Sequence, residues 1–233
     1  MSQIYQYGDS IRHNKRKLMK EQERIIPLFP TFVMSNRLDR DITTDELNCI
    51  LDYNEKLNET TEGITSREQT VLENERLSGL KSFCEEILND YFIKIYNPIN
   101  PDDVALKITE SWLNFTIGNK FHEKHKHYNS FMSGILYINA YRDKDSIVFT
   151  KADSDFNWQI HPKEPSEFNS TNFHLSVGTG DIIIFPSNLY HSTPVTNNNY
   201  LRISLAFSSY VTGTIGFIEG PLKGINQLKI NVL

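Results

Sequence analysis

Histidine is unevenly distributed in this chain. Of seven histidines, three fall in the segment FHEKHKH, at His122, His125 and His127, and another, His191, ends the segment GDIIIFPSNLYH. His125 and His127 have one residue between them, so on a strand their side chains leave from the same face. Imidazoles sharing a face suit a divalent metal, which holds each ligating nitrogen at about 2 Å. A third ligand must then come from another strand, and His191, at the end of an apolar run, is a natural supplier. Each piece alone has a plainer reading. Surface histidine clusters are common, and a histidine ending an apolar strand is often a core or edge residue.

The next signal lies just beyond. A turn-forming stretch, STPVTNNN, leads into YLRISLAFSS. Strand alternation puts Arg202, Ser204 and Ala206 on one face and Leu201, Ile203, Leu205 and Phe207 on the other. An arginine interrupting an apolar strand needs a partner, because a buried unpaired charge is expensive. One of the 29 acidic residues can supply a structural salt bridge. Alternatively the guanidinium grips a ligand carboxylate in a bidentate fork, with the Ser204 hydroxyl adding a hydrogen bond. Both readings stand on spacing alone. The loop from His191 to Arg202 is short, so the two lie near the same end of the domain.

These residues need a scaffold. After residue 105, runs rich in β-branched and aromatic residues alternate with turn residues: ALKITESWLNFTI, FMSGILYINA, DSIVFTKA, TNFHLSVG, GDIIIFPS and YLRISLAFSSYV. That rhythm predicts a β sandwich or barrel rather than a parallel sheet with crossover helices. From Thr43 to Tyr96 the period is helical. Thr44 is placed to cap a first helix, and a polar interval follows. Leu80, Phe83, Cys84, Ile87, Leu88, Tyr91 and Phe92 then form the apolar stripe of a helix that should pack on a sheet. Residues 1–25 read as a charged tail or helix with basic residues at Arg12, His13, Lys15, Arg16 and Lys17. Residues 26–233 read as one domain, with helical support over 43–96 and a β core over 105–233.

Bulk properties narrow the class. With 24 basic and 29 acidic residues and a net charge of −5, there is no concentrated basic surface to suggest nucleic-acid binding. Two cysteines far apart, Cys49 and Cys84, make no disulfide framework and suggest buried reduced thiols. No apolar run reaches the roughly 18 residues of a membrane span, and the first residues lack the apolar centre of a signal peptide. A cytoplasmic location is the expectation.

Together, SWLNFTIGN (111–119), HKHYNSFMSGILYI (125–138), IIIFPSNLYHSTPV (182–195) and RISLAF (202–207) resemble the 2-oxoglutarate/Fe(II) oxygenase superfamily. They are most similar to a branch found in bacteria and their phages. The resemblance runs over roughly residues 25–233 and begins with an entry segment, PLFPTFV (27–33). It implies a mainly β fold with flanking helices, a double-stranded β-helix (jelly roll, cupin-like). It implies Fe(II) held by His125, His127 and His191, and 2-oxoglutarate as co-substrate with its distal carboxylate on Arg202 and Ser204. Asn114 and Tyr137 would line the pocket and touch either the co-substrate or the groups around the metal's ligands; their plainer reading is structural. The implied reaction hydroxylates an unidentified small-molecule or peptidyl substrate, releasing succinate and CO₂, and the resemblance leaves room for a homodimer.

Two departures stand out. Most of the superfamily uses His-x-Asp/Glu, so His127 occupies the place of the usual carboxylate. Either three imidazoles hold the iron, or His127 supports the site from behind and another group, such as His122 or Glu123, completes it. Simple alternation puts Glu123 on the His125 face. Tyr128 stands where the branch usually has proline. The alternatives to an oxygenase are a three-histidine zinc site of hydrolytic or hydratase type, and a non-catalytic jelly-roll binding or structural protein. His161 and His174 fall in the insertion 151–175, which should border the pocket mouth, and read as surface residues.

Overall fold

The computed structural model describes residues 24, 26–55, 57–60, 63–151, 163, 164, 166, 169–195, 198–216 and 228–232. The basic cluster at Arg12–Lys17 and most of the insertion after Lys151, His161 included, lie outside them. The chain divides into two compact units, Met1–Thr31 and Phe32–Leu233. The architecture that follows is that of the second.

In chain order its elements are β1 (Met34–Arg37), α1 (Thr44–Asp52), β2 (Leu57–Thr60), β3 (Gly63–Ser66) and α2 (Ser78–Tyr96). Then come β4 (Ala105–Gly118), β5 (His122–His125), β6 (Met132–Asn139), β7 (Ser146–Thr150) and β8 (Asn172–Ser176). The last are β9 (Asp181–Pro186), β10 (Tyr190–Thr193), β11 (Asn198–Ile215) and β12 (Leu228–Ile230). One eight-stranded sheet runs β1-β9-β6-β11-β4-β3-β2, with β12 paired to β11 off this path; a four-stranded sheet runs β5-β10-β7-β8. The pairings are antiparallel throughout.

Two apolar layers hold these sheets. Between them, Tyr137, Ile183 and Phe185 of the larger sheet pack with Ile147, Phe149 and Leu175 of the smaller. On the larger sheet's other face, Leu113, Phe115, Leu136, Ile182, Ile184, Leu205 and Phe207 form one cluster with Leu80, Cys84, Leu88 and Tyr91 of α2. Burial of each such side chain contributes about 1.5–3 kcal/mol. Two facing antiparallel sheets with helices on the back of the larger make a double-stranded β-helix, or jelly roll. Close packing leaves a mark at Gly134, which pairs with Phe207; a Cβ there would lie 2.1 Å from the Phe207 ring.

Local chemistry explains the helix ends. The cap of α1 is Thr43 rather than Thr44, because only from Thr43 does a glutamate stand at the third helical position. Glu46 N–H donates to Thr43 Oγ1 (3.2 Å) and Thr43 N–H donates to Glu46 Oε2 (2.9 Å), a complete capping box. Helix α2 ends at Asn97, whose left-handed backbone (φ 42°) is a conformation asparagine tolerates. The polar interval between the helices is not merely a connection. It contributes the hairpin β2–β3, which joins the sheet by pairing Ile64 and Thr65 with Phe115 and Asn114. A hairpin at the end of a sheet needs few apolar residues, so its composition resembles that of a loop. Cys49 and Cys84 are free and buried. No helix among the described residues is long and apolar enough to cross a membrane.

Candidate active site

The smaller sheet sets the first histidines by register. His191 of β10 lies opposite His125 of β5 and, on its other side, opposite Phe149 of β7. His127, just past β5, is tied to the turn after β9, its N–H donating to the Ser187 carbonyl at 2.9 Å. The three rings therefore converge. Centroids are 4.3 Å apart for His125 and His191, 5.0 Å for His127 and His191, and 5.4 Å for His125 and His127. Their ligand nitrogens all lie within 4.8 Å of one another. Trp112 of β4 stands edge-on to the His127 ring at 5.4 Å.

Each ring is held by Nδ1. His125 Nδ1 donates to the Glu123 carbonyl at 2.7 Å and His191 Nδ1 to the Leu189 carbonyl at 3.1 Å. His127 Nδ1 meets Ser133 Oγ at 2.6 Å. A backbone carbonyl can only accept, so in the neutral ring Nε2 of His125 and of His191 carries the lone pair. Such anchoring of the far nitrogen is what orients metal-binding imidazoles. Charge is also withheld. Burial pushes His191 down to about 3, helped by His125 and opposed by the Leu189 carbonyl. Burial and then His125 push His127 down to about 4. Neutral imidazoles are the form a metal needs.

His122 has a place that alternation did not foresee. The β5–β10 ladder is irregular, pairing His191 with His125 but Thr193 with His122. The extra residue in β5 leaves Glu123 and Lys124 exposed while His122 and His125 are both half-buried. Thus His122, not Glu123, shares the His125 side. Burial pushes it down to about 4, followed by the charges of Arg202 and His125. A recess of about 520 Å³ opens beside it, lined also by Phe121, Thr193 and Val195. His174, on β8, is exposed.

The larger sheet supplies the other wall. Ser204 of β11 stands between Asn114 of β4 and Tyr137 of β6 in a single cross-strand row. Arg202, opposite Thr116, is 3% exposed. Its Nη1 lies 3.5 Å from Asp145 Oδ1, and neither atom makes a hydrogen bond. Asp145 is otherwise engaged, its Oδ2 accepting from Tyr200 Oη (2.6 Å) and from Tyr141 N–H (2.8 Å). So the acidic partner of the plainer reading exists, but it answers Arg202 through a single loose contact rather than a bidentate fork. A buried guanidinium with an unused N–H can still receive an anionic ligand. Thr65 Oγ1 donates to Asn114 Oδ1 at 3.3 Å. Tyr137 is buried, and burial holds its phenol above the ordinary range while Arg202 pulls the other way.

All seven residues singled out above, His125, His127, His191, Arg202, Ser204, Asn114 and Tyr137, thus come from strands and turns whose inner faces meet between the sheets. Asp145, Trp112 and the serines behind His127 add contacts that spacing alone did not suggest.

Residues 110–208 match the family described as "Putative 2OG-Fe(II) oxygenase". Over that stretch the β core is similar to the 2OG-Fe(II) oxygenases. The likeness is to enzymes of the 2-oxoglutarate and Fe(II)-dependent oxygenase class. Among solved structures, the chain is similar in fold to SnoK, a non-heme alpha-ketoglutarate-dependent carbocyclase from nogalamycin biosynthesis. Identity is 8% over 78% of this chain and 82% of that one, with a TM-score of 0.52. The epimerase SnoN, from the same biosynthesis, gives 10%, 78%, 81% and 0.52. These are likenesses of fold. An oxidoreductase of the 2OG-Fe(II) oxygenase family from Burkholderia pseudomallei is 14% identical over 75% of this chain and 83% of its own, with a TM-score of 0.48. Among curated protein sequences, none matches.

Proposed function

We propose that the chain is an oxygenase that holds Fe(II) through Nε2 of His125, His127 and His191 and binds 2-oxoglutarate with its distal carboxylate on Arg202 and Ser204. It hydroxylates an unidentified substrate. In balance, one C–H bond, one O₂ and one 2-oxoglutarate become one C–OH, one succinate and one CO₂. Fe(II) with 2-oxoglutarate supplies the oxidising chemistry. The observation that carries the reading is the convergence of three Nδ1-anchored imidazoles between the sheets that also bury Arg202.

The chain's own residues bind, orient and exclude. His127 and His191, held neutral by burial, offer lone pairs without first losing a proton, and a set of three imidazoles would bring no protein carboxylate to offset the metal's charge. Arg202, buried away from bulk water, attracts a carboxylate more strongly than an exposed arginine would. Asp145, steadied by Tyr200 and the Tyr141 N–H, faces the guanidinium through a loose contact that leaves Nη1 available to the ligand. The apolar layer of Phe149, Ile183 and Phe185 keeps bulk water from the inner wall.

The test is anaerobic titration of the Fe(II)-loaded protein with 2-oxoglutarate, in the wild type and in Arg202→Ala. A visible charge-transfer band that weakens in the variant supports both metal site and clamp. Metal binding with no band in the wild type overturns the reading and favours a zinc centre of hydrolytic type.

A further inference from the structure

Behind His127 runs a chain of hydroxyls that the reaction itself does not use. His127 Nδ1 is 2.6 Å from Ser133 Oγ, which is 2.8 Å from Ser187 Oγ, which is 2.7 Å from Ser130 Oγ. Ser133 and Ser187 are fully buried. Ser130 Oγ lies 3.1 Å from the Met132 carbonyl and 3.2 Å from the Ser209 carbonyl, and it accepts from the Ser209 N–H at 3.3 Å.

A hydroxyl has one proton, so such a chain has a direction. If Ser130 gives its proton to either carbonyl, its two lone pairs receive Ser187 and the Ser209 N–H. Ser187 has then spent its proton on Ser130 and accepts from Ser133. Ser133, its proton spent in turn, can only accept from His127 Nδ1–H. Every group is satisfied. The reverse order would aim the Ser130 proton at Ser187 and end with Ser133 donating to Nδ1. It would leave Ser130 Oγ facing two carbonyl oxygens at 3.1 and 3.2 Å with no proton between them, which is repulsive in a buried, low-dielectric setting.

We propose that Ser130, Ser187 and Ser133 form a one-way hydrogen-bond chain that locks His127 as the Nδ1–H tautomer and so presents the lone pair of Nε2 to the metal. This deepens the proposed function and rests on His127 being a ligand. The three serines are positioning residues, and Ser187 is the link. His125 and His191 reach the same tautomer through backbone carbonyls, two residues back in each case. His127 reaches it through side chains anchored to the β6 and β11 backbone. A residue at the carboxylate's usual place therefore acquires the one feature a carboxylate has without help, a lone pair that always faces inward.

The experiment is a long-range ¹H–¹⁵N correlation spectrum of the metal-free protein near pH 7, which reads tautomers directly. In the wild type His127 should show a pyrrole-like Nδ1 and a pyridine-like Nε2; a protonated Nε2, or an equal mixture, overturns the proposal. In Ser187→Ala the Ser133 proton is released toward Nδ1, so His127 should shift toward the Nε2–H form while His125 and His191 keep theirs. Ni(II) binding should weaken about 10–100-fold. An unchanged His127 in that variant also overturns the proposal. The unaltered signals of His125 and His191 certify the fold, and if Ser187→Ala does not fold, the wild-type spectrum still decides. No 2-oxoglutarate enters this experiment, so a missing charge-transfer band would sink the oxygenase reading and leave the tautomer result standing.

Discussion

Arg202 and Asp145 put a pair of opposite charges in the interior with less contact than such pairs usually need. Removing one partner leaves the other buried and unanswered. We expect Arg202→Ala to lower unfolding free energy by about 3 kcal/mol, the lower end of the usual range because the contact is a loose one. Arg202→Met combined with Asp145→Asn should recover much of that, since the side-chain amide would keep an oxygen able to accept from Tyr200 and Tyr141. Urea unfolding of Arg202→Met, of Asp145→Asn and of the double measures the coupling, and strictly additive losses would mean that the two charges do not answer each other. At this scale much of the candidate site's grouping was legible beforehand. Alternation along a strand puts His125 level with His127, and Arg202 level with Ser204, without knowledge of the fold. Asp145 was not legible, because it comes from the turn before β7 and nothing near Arg202 in sequence announces it. Nor were the serines, since hydroxyls are common and their meaning depends on which strands adjoin.

Elements carry a different kind of constraint. Gly134 lies in β6 where Phe207 of β11 crosses it, and the space for a side chain is already occupied by the ring. Gly134→Ala should destabilise by about 1–3 kcal/mol or more. Adding Phe207→Leu to Gly134→Ala should restore part of the loss, as read from the midpoint of urea unfolding. Equal stability of wild type and Gly134→Ala would show that the ring moves aside freely. The six principal strands and α2 were readable from period and composition. The hairpin β2–β3 was not, because an edge hairpin is polar on most of its surface. The position of His122 was not, because one inserted residue in β5 reverses the parity on which alternation depends.

For the whole molecule, the three depressed histidines set a pH dependence. Unfolded histidine titrates near 6.5, whereas His122 and His127 are held at about 4 and His191 at about 3. Below about pH 6.5 the unfolded chain therefore binds protons that the folded one refuses, so stability falls as pH falls. Above about pH 7 these groups contribute no slope. Thermal unfolding of chelator-treated protein should drop between about pH 6.5 and 5, above the range where most carboxylates titrate. A flat profile there would contradict the burial of the three rings. Metal at 100 times its Kd should raise stability by about 2.7 kcal/mol, and a chelator should remove that gain.

The strand β11 joins these scales. Its Arg202 and Ser204 face the other sheet, while Leu205 and Phe207 face the helices. A single-residue deletion between Ser204 and Phe207 would exchange those two sides at a stroke, driving a guanidinium toward the helical core or a phenylalanine toward the ligand. Descendants of this gene can therefore drift in residue identity along β11 and in length within the loops. The residue count inside the strand is the part of the inheritance that has no neutral neighbours.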